Sequence, residues 1–208
     1  IYDRLDEPIR GMLEENLAAA EGADTSVTFA SGMAAISAVF LLLCRAGDDV
    51  VAHRTLYGCT HSLLSSWMPR LDVTTRFADL ADPARLARQI TPRTRVVYVE
   101  SPTNPTLEVL DLGGLAEVVA KANRRRRPEA RVRLVVDNTF TSPLGQRPLA
   151  HGADLVVASL TKHLSGFGTD LGGMVAGAKE HESGLFLVRK DFGGVLASKN
   201  AWPILVYG

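Results

Sequence analysis

The chain has 208 residues, with 23 basic and 23 acidic side chains and 46% hydrophobic residues. That is length for one sizeable core, and the composition is that of a globular protein rather than of a disordered or strongly basic nucleic-acid-binding chain. The apolar runs, such as 34–44, fall short of the roughly 18 residues a membrane span needs.

The first element follows at once. Asp6 and Pro8 supply helix-start signals, Ile9, Met12, Leu13 and Leu17 recur at helical spacing, and Gly22 supplies a stop. Beyond it, β-rich runs at 27–30, 49–52, 73–77, 95–99, 132–136, 154–158 and 174–176 alternate with helical stretches, one of them an apolar helix over 32–44. Continuous apolar strands separated by helices predict an α/β fold, a mostly parallel sheet with helices on both faces. The basic segment 121–133, with consecutive arginines at 124–127, reads as a solvated helix end. Two cysteines, Cys44 in the apolar helix and Cys59 in a loop, make no disulfide framework and suit a reducing, cytoplasmic setting. The chain opens at Ile1 without an initiator Met and stops after the apolar stretch 202–207, which reads as a piece of a longer protein, so a targeting signal upstream would not be visible.

In a parallel sheet of this kind ligands bind beyond the carboxyl ends of the strands. The polar residues there are Ser31-Gly32-Met33, Tyr57-Gly58-Cys59, the stretch 100–104, Asp137-Asn138 and the run Ser159-Leu160-Thr161-Lys162. Gly32 opens a predicted helix whose first-turn amides suit an anion, and Ser31 equally suits an ordinary N-cap. Asp137, at the mouth of an apolar sheet, needs a charged partner to remain ionised; a protonated pyridine nitrogen, a metal ion or a helix end are all candidates. Ser159 and Thr161 offer hydroxyls suited to a phosphate. Lys162 offers an amine that a dry pocket or a neighbouring cation would make reactive toward a carbonyl.

Together with Tyr2-Asp3-Arg4, Thr55-Leu56-Tyr57-Gly58-Cys59-Thr60, Glu100-Ser101-Pro102-Thr103-Asn104-Pro105 and Val136-Asp137-Asn138-Thr139, these motifs resemble, in this order, the Cys/Met-metabolism family of fold-type I pyridoxal-phosphate enzymes. The resemblance implies that Lys162 holds pyridoxal 5'-phosphate as a Schiff base and that Asp137 pairs with the pyridine nitrogen. It also implies that Ser31, Gly32, Met33, Ser159 and Thr161 bind the phosphate, that Asn104 lies near the ring hydroxyl and that Tyr57 stacks on the ring. Tyr2 and Arg4 resemble residues that reach the phosphate in a neighbouring subunit, which implies a homotetramer, a dimer of dimers with shared active sites. The domain reading is an N-terminal clamp segment at 1–10, a cofactor-binding large domain at 11–195 and, at 196–208, the start of a linker helix to a smaller C-terminal domain absent from the sequence. In the family that domain supplies the Arg that grips the substrate carboxylate.

Within the family, Cys59 and the pair Lys190-Asp191 resemble the network around the equivalent tyrosine in methionine γ-lyases. They imply γ-elimination of a small amino-acid substrate, L-methionine, with Lys162 as the base and Tyr57 as the acid. Cystathionine γ-lyase, O-acetylhomoserine sulfhydrylase and cystathionine γ-synthase are the alternatives, since related sites support lysis or exchange. The glycines of Ser165-Gly166-Phe167-Gly168 and Gly172-Gly173 lack the spacing of a dinucleotide turn, and the spacings of His53, His61, His151 and His163 match no common metal-ligand pattern. The expectation is therefore no metal, no nucleic-acid partner and no membrane partner.

Overall fold

The computed structural model describes residues 2–166, 168 and 170–208. Ile1, in the predicted clamp segment, and Phe167, in the glycine run considered above, lie outside the described residues. In chain order the elements are α1 (Pro8–Glu21), β1 (Thr25–Phe29), α2 (Gly32–Leu43), β2 (Asp49–His53), α3 (Gly58–Ser62), β3 (Thr74–Ala78), α4 (Pro83–Gln89) and β4 (Thr94–Glu100). They continue with α5 (Leu112–Asn123), β5 (Arg133–Asp137), α6 (Ser142–Gly145), β6 (Leu155–Ser159), β7 (Gly173–Gly177), α7 (Glu182–Phe192) and α8 (Ser198–Tyr207), with short 3-10 turns between some of them. Every predicted strand is present, with ends moved by about two residues at most.

The chain divides into two compact units. One spans 43–137 and 150–154. Its strands run parallel in the order β5-β4-β2-β3. Val51, Val97, Val99, Leu134 and Val136 from those strands pack with Leu86 of α4 and Leu112, Leu115 and Val119 of α5. Buried apolar side chains of this kind each contribute roughly 1.5–3 kcal/mol of burial energy.

The other unit comprises the chain up to Leu42, the segment Asn138–Leu149 and everything from Leu155 on. Here β7 runs antiparallel to both β1 and β6, so the strand set is mixed, and the purely parallel pattern belongs to the first unit alone. Leu13 and Leu17 of α1 meet Ala158, Met174, Leu196 and, from α8, Ala201 and Ile204. Among the described residues no helix is long and apolar enough to cross a membrane.

Several local expectations need correcting. Glu7 rather than Asp6 caps α1, its carboxylate accepting from the Arg10 amide at 2.9 Å, because Pro8 takes the first helical position. Gly22 ends that helix at φ 70°, a left-handed conformation that glycine adopts without a Cβ penalty. Met12, placed on the apolar face by its spacing, is exposed. Cys44 lies one residue beyond α2 and is buried, and burial first of all pushes its thiol up to about 12. Cys59 lies in the short helix α3, not in a loop. The arginine run is only partly a solvated helix end: the Arg126 guanidinium donates to the carbonyls of Thr91, Pro92, Thr94 and Ala130 and ties the loop ahead of β4 to the end of α5.

Glu21, at the end of α1, is buried and accepts from Asn138 Nδ2 at 3.2 Å. Burial raises its carboxyl to about 7, against the opposing pull of Asn138 and Arg147. A pKa raised on folding contributes stability that is fully present below the unfolded value of about 4.5 and is lost as pH rises toward 7. By linkage that loss is on the order of 3 kcal/mol. Urea unfolding at pH 5 and pH 8 is therefore expected to give a smaller pH-dependent loss for Glu21→Gln than for the parent protein. Identical losses would remove Glu21 as the cause.

Candidate functional site

The candidate residues fall into two sets, one in each unit. In the unit built on β1, β6 and β7, the chain leaves β1 at Phe29 and enters α2 at Gly32. Ser31 caps the helix, Oγ accepting from the Ala34 amide and the carbonyl from the Ala35 amide, both at 3.1 Å. A Cβ on Gly32 would lie 2.9 Å from Ser159 Cβ, closer than real Cβ atoms approach. Glycine at 32 thus lets the start of α2, where Met33 follows, lie against the end of β6. Gly173 meets the same need, since a Cβ there would overlap the Ser31 carbonyl. The structure in this way brings Ser31, Gly32 and Ser159 together at a helix N-terminus, an arrangement suited to an anion.

Thr161 is already engaged: its hydroxyl accepts from the Gly172 amide at 3.1 Å and donates to the Gly172 carbonyl at 3.3 Å. A phosphate there would have to take over that proton. The Lys162 backbone is pinned by its own amide to the Ser159 carbonyl and by Ser165 Oγ to its carbonyl, each at 3.3 Å. Its side chain is exposed, so the dry pocket argued for from the sequence is not supplied by the residues of its own unit.

Tyr2 and Arg4 are exposed and paired with each other. Arg4 Nε donates to the Tyr2 hydroxyl at 3.0 Å, with the guanidinium over the ring. Arg4 also donates to the Lys190 carbonyl at 3.1 Å, and Lys190 Nζ pairs with Asp191 at 3.2 Å near the end of α7. The sequence motifs assigned these four residues to two different tasks, and the fold joins them through the Arg4 bond.

In the other unit, β4 and β5 end side by side, with Glu100 opposite Asp137 in register. Tyr98 is wholly buried and donates from its hydroxyl to Asp137 Oδ2 at 3.2 Å. Burial first, then the Asp137 and Glu100 charges, push its phenol well above the ordinary tyrosine range, so it remains a donor. Glu100 accepts from the amides of Tyr57 at 2.8 Å and Asn104 at 3.1 Å. The Tyr57 side chain is 43% exposed. Its hydroxyl receives the Cys59 thiol at 3.4 Å, and that contact, then the Cys59 charge and finally burial, raise the phenol above its usual value.

Sequence reasoning gave no role to Tyr98 or Glu100. Both stand on one face of β4 at the period-two spacing of a strand, and a carboxylate closing an apolar strand was the available signal for Glu100. Tyr98 gave none, because an aromatic residue inside an apolar run reads as core. Among the described residues, no group of three or more His, Cys, Asp or Glu side chains is placed to hold a metal ion.

Residues 1–206 match the family model described as Cys/Met metabolism PLP-dependent enzyme. L-methionine gamma-lyase of Pseudomonas putida is 38% identical over 208 residues, covering 100% of this chain and 50% of that protein. Cystathionine gamma-lyase of Bacillus subtilis is 37% identical over 205 residues, 98% of this chain and 52% of that protein. The crystal structure of metB from Corynebacterium glutamicum superimposes with a TM-score of 0.92 at 31% identity, over 98% of this chain and 51% of that one. The chain spans about half the length of the curated relatives it matches. With its α/β fold, its glycine-lined helix start and its strand-end carboxylate, the chain belongs to the Cys/Met metabolism family of pyridoxal-phosphate-dependent enzymes.

Proposed function

We propose that the whole protein is a carbon–sulfur lyase that carries out γ-elimination of L-methionine, releasing methanethiol, 2-oxobutanoate and ammonia. The residues present fit pyridoxal phosphate. Gly32 and Ser159 form a cradle that a Cβ would fill at the start of α2, where Ser31 and Met33 stand, and Asp137 offers a carboxylate at a strand end. In this reading Ser31, Gly32, Met33, Ser159 and Thr161 hold the phosphate, Asn104 orients the ring, Asp137 keeps its nitrogen protonated and Lys162 makes the covalent link. When bound, the cofactor supplies an electron sink for the charge that builds on the substrate carbons.

The chain's own groups then move the protons. Lys162 Nζ, once free, takes the α-proton and then a proton from Cβ, and the electron pair left at Cβ expels the sulfur from Cγ. The Tyr57 hydroxyl gives its proton to the sulfur as the Cγ–S bond breaks, and its raised pKa keeps that proton in place at neutral pH. Tyr98, donating to Asp137, holds the carboxylate in position. The observation that carries the methionine reading is the Cys59 thiol against the Tyr57 hydroxyl, which puts a soft, polarisable group beside the proton donor for a thioether sulfur.

The same early chemistry serves cystathionine γ-lysis and the transferase reactions of homoserine esters with sulfide, the second reading; a cystathionine gamma-lyase and an O-succinylhomoserine sulfhydrylase are also among the relatives. A competition assay separates them: turnover of cystathionine, or of an O-acylhomoserine with sulfide, without methanethiol from methionine selects the second. We further read Tyr2 and Arg4 as donors to a neighbouring subunit's phosphate site, in a homotetramer of the cytoplasm. Arg suits phosphate through its forked donors, and both side chains are exposed. Light scattering that finds a fully active monomer would contradict this reading.

A further inference from the structure

We propose that Glu100 is a positioning residue that fixes Tyr57 and Asn104 together, one carboxylate oxygen on the backbone amide of each. The proposal rests on the reading of Tyr57 and Asn104 as cofactor-site residues and adds to it the device that sets their placement. Glu100 is 4% exposed at the end of β4. Its Oε1 accepts from the Tyr57 amide at 2.8 Å and its Oε2 from the Asn104 amide at 3.1 Å.

Tyr57 arrives from β2 and opens α3, whereas Asn104 belongs to the segment that leaves β4. The carboxylate is thus shared between two separate loops. Only an ionised carboxyl group presents acceptors on both oxygens, and bonds to a charged acceptor are shorter and stronger than neutral ones. A glutamine of the same size would accept from one amide and set its own N–H groups against the other. The position is electrostatically unfavourable: burial first and then the facing Asp137 raise the Glu100 carboxyl, the two amides oppose them, and the balance is about 7. Tyr98, two residues earlier on the same face, gives its hydroxyl to Asp137 and leaves both Glu100 oxygens to the loops.

The test uses the whole protein with Glu100→Gln and Glu100→Asp. In the cofactor-free form, amide hydrogen exchange at Tyr57 or Asn104 is expected to rise at least tenfold in Glu100→Gln, with Val97 and Val99 of β4 unchanged. In the loaded enzyme kcat is expected to fall more than tenfold, with KM within threefold and the visible cofactor band retained. Wild-type exchange at both amides, or kcat within twofold of wild type, overturns the proposal. Should Glu100→Gln also loosen Val97 and Val99, Glu100→Asp decides by the same readouts, because it keeps the charge but is one methylene too short to span both loops. A wild-type protein that neither binds the cofactor nor turns over removes the functional reading, and the exchange of the two amides then decides the clamp by itself.

Discussion

Replacing Lys162 with alanine is expected to abolish turnover, lowering kcat by about 10,000-fold or more. A positioned proton-transfer group contributes typically about 100- to 10,000-fold, and in the proposed function the same nitrogen also makes the covalent link to the cofactor. The two roles are lost together, so the loss should reach the top of that range. Fold should survive, because Lys162 is exposed and its backbone is held by Ser159 and Ser165 rather than by its side chain. The variant should therefore unfold at the parent's midpoint and still bind pyridoxal phosphate reversibly through the phosphate cradle, while lacking the visible band of the covalent form. A variant that keeps that band, or kcat within tenfold of the parent, would remove Lys162 from its role.

Replacing Tyr57 with phenylalanine should give the second largest effect, a fall in kcat of about 100- to 10,000-fold. The ring is retained and so is the Glu100 bond, which uses the Tyr57 backbone amide. Cofactor affinity and KM are expected to change little. The sign of the pKa shift matters here. A phenol is already protonated at neutral pH, and the Cys59 contact raises it further, so the hydroxyl holds a proton to give to a departing thiolate. A depressed value would have suited a base. Rapid-mixing assays of methanethiol release check the effect, and kcat within threefold of the parent contradicts the acid role.

The strands were legible because their apolar runs are continuous and bounded by polar motifs, and β-branched residues such as Val96, Val97 and Val99 leave little choice of conformation. What the runs did not carry was direction: β7 is as apolar as its neighbours, yet it pairs antiparallel with both β1 and β6. Cap chemistry misled by one residue at α1, where Asp6 and Glu7 offer the same carboxylate and only the position of Pro8 separates them. Among the candidate site residues, those with sequence context of their own could be nominated from the sequence: Ser31, Tyr57 and Lys162 come shortly after a strand and Asp137 closes one. Residues that act through another residue were missed. Tyr98 looks like core until its hydroxyl is seen on Asp137, and Glu100 looks like a motif letter until its oxygens are seen on two amides. Such partnerships depend on the register of β4 against β5 and on loop closure, neither of which a linear pattern encodes.

Thr161 and Lys162 illustrate the reverse case, in which chemistry read from residue type meets a geometry not yet arranged for it. The Thr161 hydroxyl is occupied by Gly172, and Lys162 is exposed. Phosphate binding would exchange the first bond for a charge-assisted one.

The most direct test of the proposed activity is product analysis with the whole protein, pyridoxal phosphate and L-methionine as the sole substrate. The expected result is methanethiol and 2-oxobutanoate in equal amounts, abolished in Lys162→Ala and strongly reduced in Tyr57→Phe. No methanethiol from methionine, alongside brisk turnover of cystathionine or of an O-acylhomoserine with sulfide, would contradict it.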